Sequence, residues 1–285
     1  MPDAIYAGWG PEDRRAAVSI TFDNLGEAAE LELGIWPDDK PVGKHPSAIR
    51  VVPRVLNLLR EYGVRATFFV EGWNMEIYPD LLRRITDAGH DLSYHGWRHE
   101  NWGKLGQEEE TALLNRGIEV ANDLGMNLRG FRPPGGALTP SSLQLLAERG
   151  FTFCSPGGKA VTLSSGVVIL PFEWKAIDAY YYFDQLAPLR ESYGDSAQTL
   201  GPRRFERAIT ERLSALVESR QYLALIFHPF LEDDDDRFDT MHRIIDRVVR
   251  DESIWCAPCS EVAEWVMGEK GRFEGDPVLD HATWR

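Results

Sequence analysis

Cysteine is scarce in this chain, and long apolar runs are missing. Three cysteines among 285 residues are too few for a disulfide framework and fit a reducing compartment. No run reaches the roughly 18 apolar residues that a membrane-spanning helix needs. The first residues also lack a basic segment followed by an apolar one. We therefore expect a cytoplasmic protein that does not enter a membrane.

Basic residues are outnumbered: 31 Lys and Arg stand against 45 Asp and Glu, for a net charge of −14. A nucleic-acid partner requires a basic face, so we predict none. The chain also has no GxGxxG loop and no Gly-x-Ser-x-Gly elbow. Dinucleotide-cofactor and serine-nucleophile chemistries therefore have no support.

What is present is an alternation of short β-branched or aromatic runs with longer amphipathic ones. This βαβα pattern predicts an α/β fold in which helices cover a parallel sheet, and its six to eight units favour a barrel in one domain, 1–285. The predicted strands are 17–22, 66–70, 91–94, 128–131, 152–154, 167–170 and 222–227. The predicted helices are 47–62, 78–88, 108–124, 141–149, 205–219, 241–249 and a last one ending near Met267.

Polar side chains follow these strands at their carboxyl ends, where a barrel carries its active site. They are Asp23, Asn24, His95, Arg132, Glu173 and His228. The connection 25–46 is long enough to be a lid or a binding loop. The acidic run 232–236 is interpreted as a solvated turn that leads into the next helix.

His95 and His99 are the candidate metal ligands. We expect the two imidazoles on one side of a helical turn, about 5–6 Å apart at Cβ. Neutral imidazole is the commonest protein ligand for zinc and its neighbours. Packed turn histidines are the plain alternative, but the position of the pair at a strand end favours a metal site.

The motif order resembles that of the polysaccharide deacetylases, the NodB-like enzymes of carbohydrate esterase family four. The resemblance spans about 15–268 and implies a distorted (β/α)7 barrel. The branch with allantoinases, cyclic imide hydrolases and intracellular peptidoglycan-deacetylase-like proteins looks more similar than secreted chitin deacetylases. The motifs are Thr-Phe-Asp-Asn at 21–24, His-Gly-Trp-Arg-His at 95–99, Phe-Arg-Pro-Pro-Gly at 131–135, Pro-Phe-Glu-Trp at 171–174 with Asp178, and Phe-His-Pro-Phe at 227–230.

The resemblance implies a role for each motif residue. Asp23 is the general base, and Arg132 fixes it and is held in turn by Glu173 or Asp178. His95 and His99 bind a divalent metal, most simply Zn²⁺, and His228 protonates the leaving amine. The expected substrate-binding residues are Gly135, Trp97, Trp174, Ile226 and Phe230.

Asn24 departs from the family pattern, which has a second acid there as third metal ligand. An amide oxygen coordinates without charge, so the metal is expected to be held more weakly. Asp23, Glu27 or His45 is an alternative third ligand, and a metal-free site is another alternative.

The sequence therefore predicts a metal-dependent hydrolase of non-peptide C–N bonds, which deacetylates an N-acetylated sugar or a related small amide. Two alternatives stay open: a metal-free allantoinase-like or cyclic imide amidohydrolase, and a sugar-binding protein without activity. The expected partner is a small-molecule or saccharide substrate, and a homo-oligomer is left open.

Overall fold

One mostly parallel sheet organises the molecule. In the computed structural model, which describes residues 8–280 and 282, ten strands join this sheet. They are β1 (Ala16–Asp23), β2 (Thr67–Val70), β3 (Asp91–Tyr94), β4 (Gly130–Phe131), β5 (Phe153–Cys154), β6 (Thr162–Ser164), β7 (Val167–Ile169), β8 (Phe172–Ile177), β9 (Tyr222–Phe227) and β10 (Ile254–Cys256). β1 and β9 are buried at every residue, as expected for parallel strands covered on both sides.

The sheet curves until its two ends approach each other. Its order is β6-β7-β5-β4-β3-β2-β1-β9-β8, and β10 pairs with β1. Beyond β5, the carbonyl of Pro156 accepts from Phe172 N–H at 2.9 Å, and Gly158 N–H donates to the carbonyl of Phe172 at 3.0 Å. The predicted α/β class with a distorted barrel is confirmed.

Helices surround this sheet. They are α1 (Ala28–Glu32), α2 (Val52–Tyr62), α3 (Gly72–Ile77), α4 (Pro79–Asp87), α5 (Gln107–Asp123), α6 (Ser142–Glu148), α7 (Asp178–Tyr182), α8 (Ala187–Ser192), α9 (Pro202–Ser219), α10 (Asp235–Arg250), α11 (Cys259–Gly268) and α12 (Lys270–Phe273). The helix predicted from position 47 instead begins as a π-turn, Ser47–Val51, and becomes α-helical at Val52. Pro53 explains the change, because its nitrogen cannot donate to the carbonyl four residues earlier.

Several strands differ from the sequence prediction. β4 and β5 are two residues long and therefore shorter than expected. β8 was expected only as a polar motif that follows a strand, yet Glu173 and Trp174 lie inside it. Among the described residues, no helix is both long and apolar enough to cross a bilayer. The prediction of one domain over 1–285 includes positions outside the described residues and stays a prediction.

Candidate active site

A cavity opens at the carboxyl ends of the central strands. It encloses about 770 Å³, including its open mouth. The strand-end residues predicted from the sequence meet there, with Glu173 as the exception. Those that line it are Asp23, Asn24, His95, His99, Arg132 and His228.

Asp23 and Arg132 form a buried ion pair on the cavity floor. The Arg132 guanidinium donates to Asp23 Oδ1 at 2.6 Å and to the Thr21 hydroxyl at 2.9 Å. Its other terminal nitrogen donates to Ser155 Oγ at 3.0 Å. The central carbon of the guanidinium lies 3.9 Å from the centroid of the Phe69 ring. Arg132 therefore fixes Asp23, as the resemblance implies.

The expectation that Glu173 or Asp178 holds Arg132 is wrong. Thr21 of β1 and Ser155, which directly follows β5, hold it from two separate parts of the sheet. Neither hydroxyl stands out in the sequence, because Ser and Thr are common and only the fold brings these two to one guanidinium.

Burial raises the pKa of the Asp23 carboxyl. The charges of Arg132 and His228, and the hydrogen bond from Arg132, oppose that rise without cancelling it. Desolvation is the larger effect here because the carboxyl is only 3% exposed.

His95 and His99 are brought together by a loop rather than by the expected helical turn. Gly96 and His99 both have a φ of 74°, and Glu100 accepts from the N–H groups of Trp97 and Arg98. The two imidazole centroids are 5.0 Å apart. The two imidazoles are close together, as predicted, but the cause is a loop whose backbone is left-handed at Gly96 and His99. Residues other than glycine rarely adopt this conformation.

His95 has the protonation state that a metal ligand requires. Its Nδ1 bonds to the backbone carbonyl of Arg132 at 2.8 Å and must donate, which leaves the Nε2 lone pair available. Nε2 lies 3.8 Å from Asp23 Oδ2. Burial lowers the pKa of His95 to about 3, and the charges of Arg132 and His228 act in the same direction.

Asn24 lines the same cavity as this histidine pair. Its Oδ1 is buried and has no hydrogen-bond partner among the described residues, and its backbone is left-handed, with a φ of 58°. Glu27 and His45, the other expected ligands, are used elsewhere: Glu27 accepts from Gly43 N–H at 2.6 Å, and His45 contacts Glu30 at 2.7 Å.

These groups suit a divalent cation, though weakly. No cluster of three His, Cys, Asp or Glu side chains that could hold a metal occurs in 8–280 or at 282. The candidate donors predicted from the sequence are two imidazoles and one neutral amide oxygen, and all three side chains line the cavity. The unpartnered Asn24 Oδ1 is the observation that supports the fit, because a buried oxygen without a partner is costly.

His228 and Asp178 form a second polar pair. His228 Nδ1 bonds to Asp178 Oδ1 at 2.6 Å, and the His228 backbone N–H donates to Oδ2 at 2.6 Å. Burial alone lowers the pKa of His228, but the charge and hydrogen bond of Asp178, helped by Asp23, more than reverse this, so the pKa is raised. Asp178 therefore serves His228 and not Arg132.

Glu173 lies outside the site because of strand geometry. Successive side chains of β8 point to opposite faces, so Trp174 lines the cavity and Glu173 points away. Its carboxylate binds Arg212 of α9 with two hydrogen bonds, at 2.6 and 2.9 Å.

Of the expected pocket residues, Gly135, Trp174, Ile226 and Phe230 line the cavity. Trp97 instead lies under the guanidinium of Arg116, 3.4 Å from its ring centroid, and is not among the lining residues. The connection 25–46 contributes Ala29, Leu33 and Ile35 to the wall, and its role as a lid or binding loop stays a prediction.

Glu232 was missed by the sequence analysis. It belongs to the run interpreted as a solvated turn, and Asp234 does cap α10 by accepting from Arg237 N–H at 3.1 Å. Glu232, however, is fully buried, and among the described residues no donor group reaches either carboxylate oxygen; its polar neighbour is the Asp178 carboxylate. Burial and the nearby charge of Asp178 raise its pKa well above the usual value.

The sequence and the fold agree on one family. A family model described as polysaccharide deacetylase matches residues 11–154, which is half of the chain. The chain therefore belongs to the polysaccharide deacetylase family. It is 29% identical over 147 residues to the peptidoglycan-N-acetylglucosamine deacetylase of Bacillus cereus, which covers 51% of this chain and 46% of that protein. It is 35% identical over 155 residues to chitin deacetylase 1 of Saccharomyces cerevisiae, with 53% and 48% covered.

Two solved structures show the same fold over nearly the whole chain. A Mycobacterium smegmatis protein assigned as a polysaccharide deacetylase aligns with a TM-score of 0.82 and 26% identity, covering 97% of this chain and 98% of that one. The allantoinase PuuE aligns with a TM-score of 0.74 and 16% identity, covering 94% and 95%. This chain spans about half the length of the curated relatives it matches.

Proposed function

We propose that this protein is a metal-dependent hydrolase of non-peptide C–N bonds, acting on an N-acetylated sugar or a related small amide. The observation that carries the proposal is the pairing of an arginine-fixed carboxylate, Asp23, with a carboxylate-fixed imidazole, His228, in one cavity. Amide hydrolysis needs a base for water and an acid for the departing nitrogen.

The side chains divide this work according to their environments. Asp23 takes a proton from the attacking water, and its raised pKa suits a general base. Arg132 holds the carboxylate in place through the 2.6 Å hydrogen bond. His228, whose pKa is raised chiefly by the Asp178 carboxylate, donates a proton to the leaving nitrogen, and Asp178 orients the imidazole.

His95, His99 and the Asn24 amide oxygen are the residues proposed to hold a divalent cation, with zinc the choice that suits imidazole ligands. When bound, the cation lowers the pKa of a coordinated water to about 7 and polarises the carbonyl. A metal-free amidohydrolase is the second candidate, because the neutral Asn24 leaves the donor set one charge short of the usual pattern.

Chelation tests the proposal directly. The purified protein is assayed for amine release from N-acetylated sugars, small amides and cyclic imides, before and after metal removal and after zinc is added back. We expect a loss of at least about 100-fold that zinc restores, since removing the ion removes several kcal/mol of transition-state stabilisation. Full activity without metal would support the metal-free alternative. A zinc-loaded protein inert on all substrates would support a binding protein without activity.

A further inference from the structure

The cavity has a polar floor and apolar walls. The groups that face the reaction centre are carboxylate, guanidinium and imidazole side chains at the strand ends. Above them, the lining residues are aliphatic or aromatic almost throughout. The walls, not the floor, contact whatever is attached to the scissile bond, so they select the substrate.

One wall comes from the segment 25–46. Ala29, Leu33 and Ile35 line the cavity from this side. Glu30 is the charged residue among the lining positions of the segment, and its carboxylate is engaged by His45 Nε2 at 2.7 Å. One of its two carboxylate oxygens, Oε2, is therefore used inside the segment.

The segment is held in this position by buried hydrogen bonds. Glu27 is fully buried and accepts from Gly43 N–H at 2.6 Å and from the Tyr78 hydroxyl. The same hydroxyl accepts from His45 N–H at 3.0 Å. These bonds join the two ends of the segment, so its apolar side is presented to the cavity by the fold.

The opposite wall is mostly apolar, and its polar exception is the indole N–H of Trp174, which has no hydrogen-bond partner among the described residues. Trp174 and Ile177 of β8, Ile226 of β9, and Phe183 and Phe230 line it. The rings of Phe183 and Phe230 meet edge to face at 5.6 Å, and Phe230 lies 5.7 Å from the ring of His228. Apolar surface thus continues up to the imidazole that faces the leaving group.

A sugar ring and a hydrocarbon ring would fare differently between these walls. A sugar carries several hydroxyl groups that need hydrogen-bond partners once water is excluded, and an apolar wall leaves them unpaired. A hydrocarbon group of the same size loses nothing and gains from its own burial. An apolar pocket therefore disfavours the polar analogue, by up to about 100-fold for a single added hydroxyl group.

We propose that the natural substrate is a compact amide or imide with an apolar group on or beside the scissile C–N bond, rather than an oligomeric N-acetylated sugar. The inference rests on the proposed hydrolase function. In the reaction, water adds to the carbonyl carbon and loses one proton to Asp23, the C–N bond breaks, and the nitrogen takes a proton from His228. The products are a carboxylic acid and an amine from an amide, or a carboxylic acid and a primary amide from an imide, and proton exchange with solvent returns Asp23 to the carboxylate and His228 to the imidazolium.

A matched pair of substrates tests this proposal in the zinc-supplemented protein. N-cyclohexylacetamide and N-acetylglucosamine both carry an acetamide on a saturated six-membered ring, and they differ chiefly in the ring oxygen and hydroxyl groups. We expect kcat/KM to be at least about tenfold higher for the cyclohexyl compound, within the range by which apolar pockets discriminate. Triacetylchitotriose, the oligomeric probe, should be a still poorer substrate. Equal or reversed preference would overturn the inference and leave the hydrolase proposal standing.

Ile35 and Ile49 supply matched variants, because both isoleucines are exposed, by 43% and 60%, and only Ile35 lines the cavity. Ile35→Asp should lower kcat/KM for N-cyclohexylacetamide by about tenfold and that for N-acetylglucosamine by less than about twofold. Ile49→Asp should change neither. Loss on both substrates, or on neither, would contradict the role of this wall.

Binding separates this inference from the proposed function. If neither compound is hydrolysed, the hydrolase proposal fails, and calorimetric titration of the same protein decides the rest. Tighter binding of N-cyclohexylacetamide would still support the apolar site. Tighter binding of the sugar, or binding of neither, would overturn the inference as well.

Discussion

His95 and His228 face the same cavity from different strands, and their environments move their pKa values in opposite directions. His95 follows β3 and is held by a neutral backbone carbonyl, so burial and the charge of Arg132 lower its pKa to about 3. His228 follows β9 and is held by the Asp178 carboxylate, which raises its pKa in spite of burial. The partner of each ring, not its depth, decides whether it is suited to bind a metal or to donate a proton.

The largest test of this comparison removes the charge beside His228. Asp178→Asn keeps one oxygen that can accept a hydrogen bond but no longer carries the charge that stabilises the imidazolium. The pKa of His228 should fall, and kcat/KM at neutral pH should drop by about 10²–10⁴-fold, the usual contribution of a general acid. As the pH is raised, the variant should lose activity at a lower pH than the wild type, because the general acid loses its proton earlier.

Glu173→Gln is the control for that variant, because Glu173 is a carboxylate of the adjoining strand that binds Arg212 instead. We expect less than about twofold change in kcat/KM, as for most partly exposed ion pairs. If Asp178→Asn stays as active as Glu173→Gln, the role given to the Asp178–His228 pair is wrong.

Glu71 is a second buried group whose pKa shift favours the neutral form, as the shift of His95 does. It follows β2 and is fully buried, and burial raises its pKa to about 8. A carboxyl whose folded pKa is raised contributes stability below its ordinary pKa, and this contribution is lost as the pH rises towards 8. Between pH 5 and pH 8, the free energy of unfolding should therefore fall by about 3 kcal/mol through this group.

Glu71→Gln removes that ionisation. Urea unfolding measures the free energy of unfolding at pH 5 and at pH 8. Over this interval it should fall by about 3 kcal/mol less in the variant than in the wild type. Glu76→Gln, at an exposed position of α3, should run parallel to the wild type. If the free energy of unfolding of Glu71→Gln also changes with pH as that of the wild type does, this carboxyl is not protonated in the folded protein.

Asn24→Asp is the smallest of these changes and tests the metal side alone. A charged oxygen in place of the unpartnered amide oxygen should tighten zinc binding by about tenfold, since ligand charge sets cation affinity. Competition titration with a zinc chelator measures the effect. Asn57→Asp adds the same charge at an exposed position of α2 and should leave the affinity unchanged. Equal affinities for both variants would show that Asn24 is not a ligand.

Much of the fold was predictable because a buried parallel strand is recognisable in the sequence as a short apolar run. The apolar run of β9 was placed at its observed bounds, Tyr222–Phe227, and polar residues after such runs must reach the carboxyl edge of a parallel sheet. β8 was not identified from the sequence in the same way. Its alternating pattern, Phe-Glu-Trp-Lys-Ala-Ile, does signal a strand, but its residues were interpreted as a motif, which put Glu173 in the site.

Contacts across the barrel could not be predicted from local pattern. Asp178 binds His228 across 50 residues, and Arg132 reaches Thr21 across 111. The partners of such groups depend on the order and twist of the strands. The same holds for Glu232, whose acidic neighbours suggest solvent while its own side chain is buried.

The sequence by itself determined the α/β class, the family and the residue types at the reaction centre, because each depends on short motifs and on the alternation of strands and helices. Tertiary structure alone decided which carboxylate serves which cation, that His95 and His99 meet through a left-handed loop, and that apolar side chains from three parts of the chain form the walls. Those features depend on distances between segments far apart in the chain, and such distances exist only once the barrel has formed.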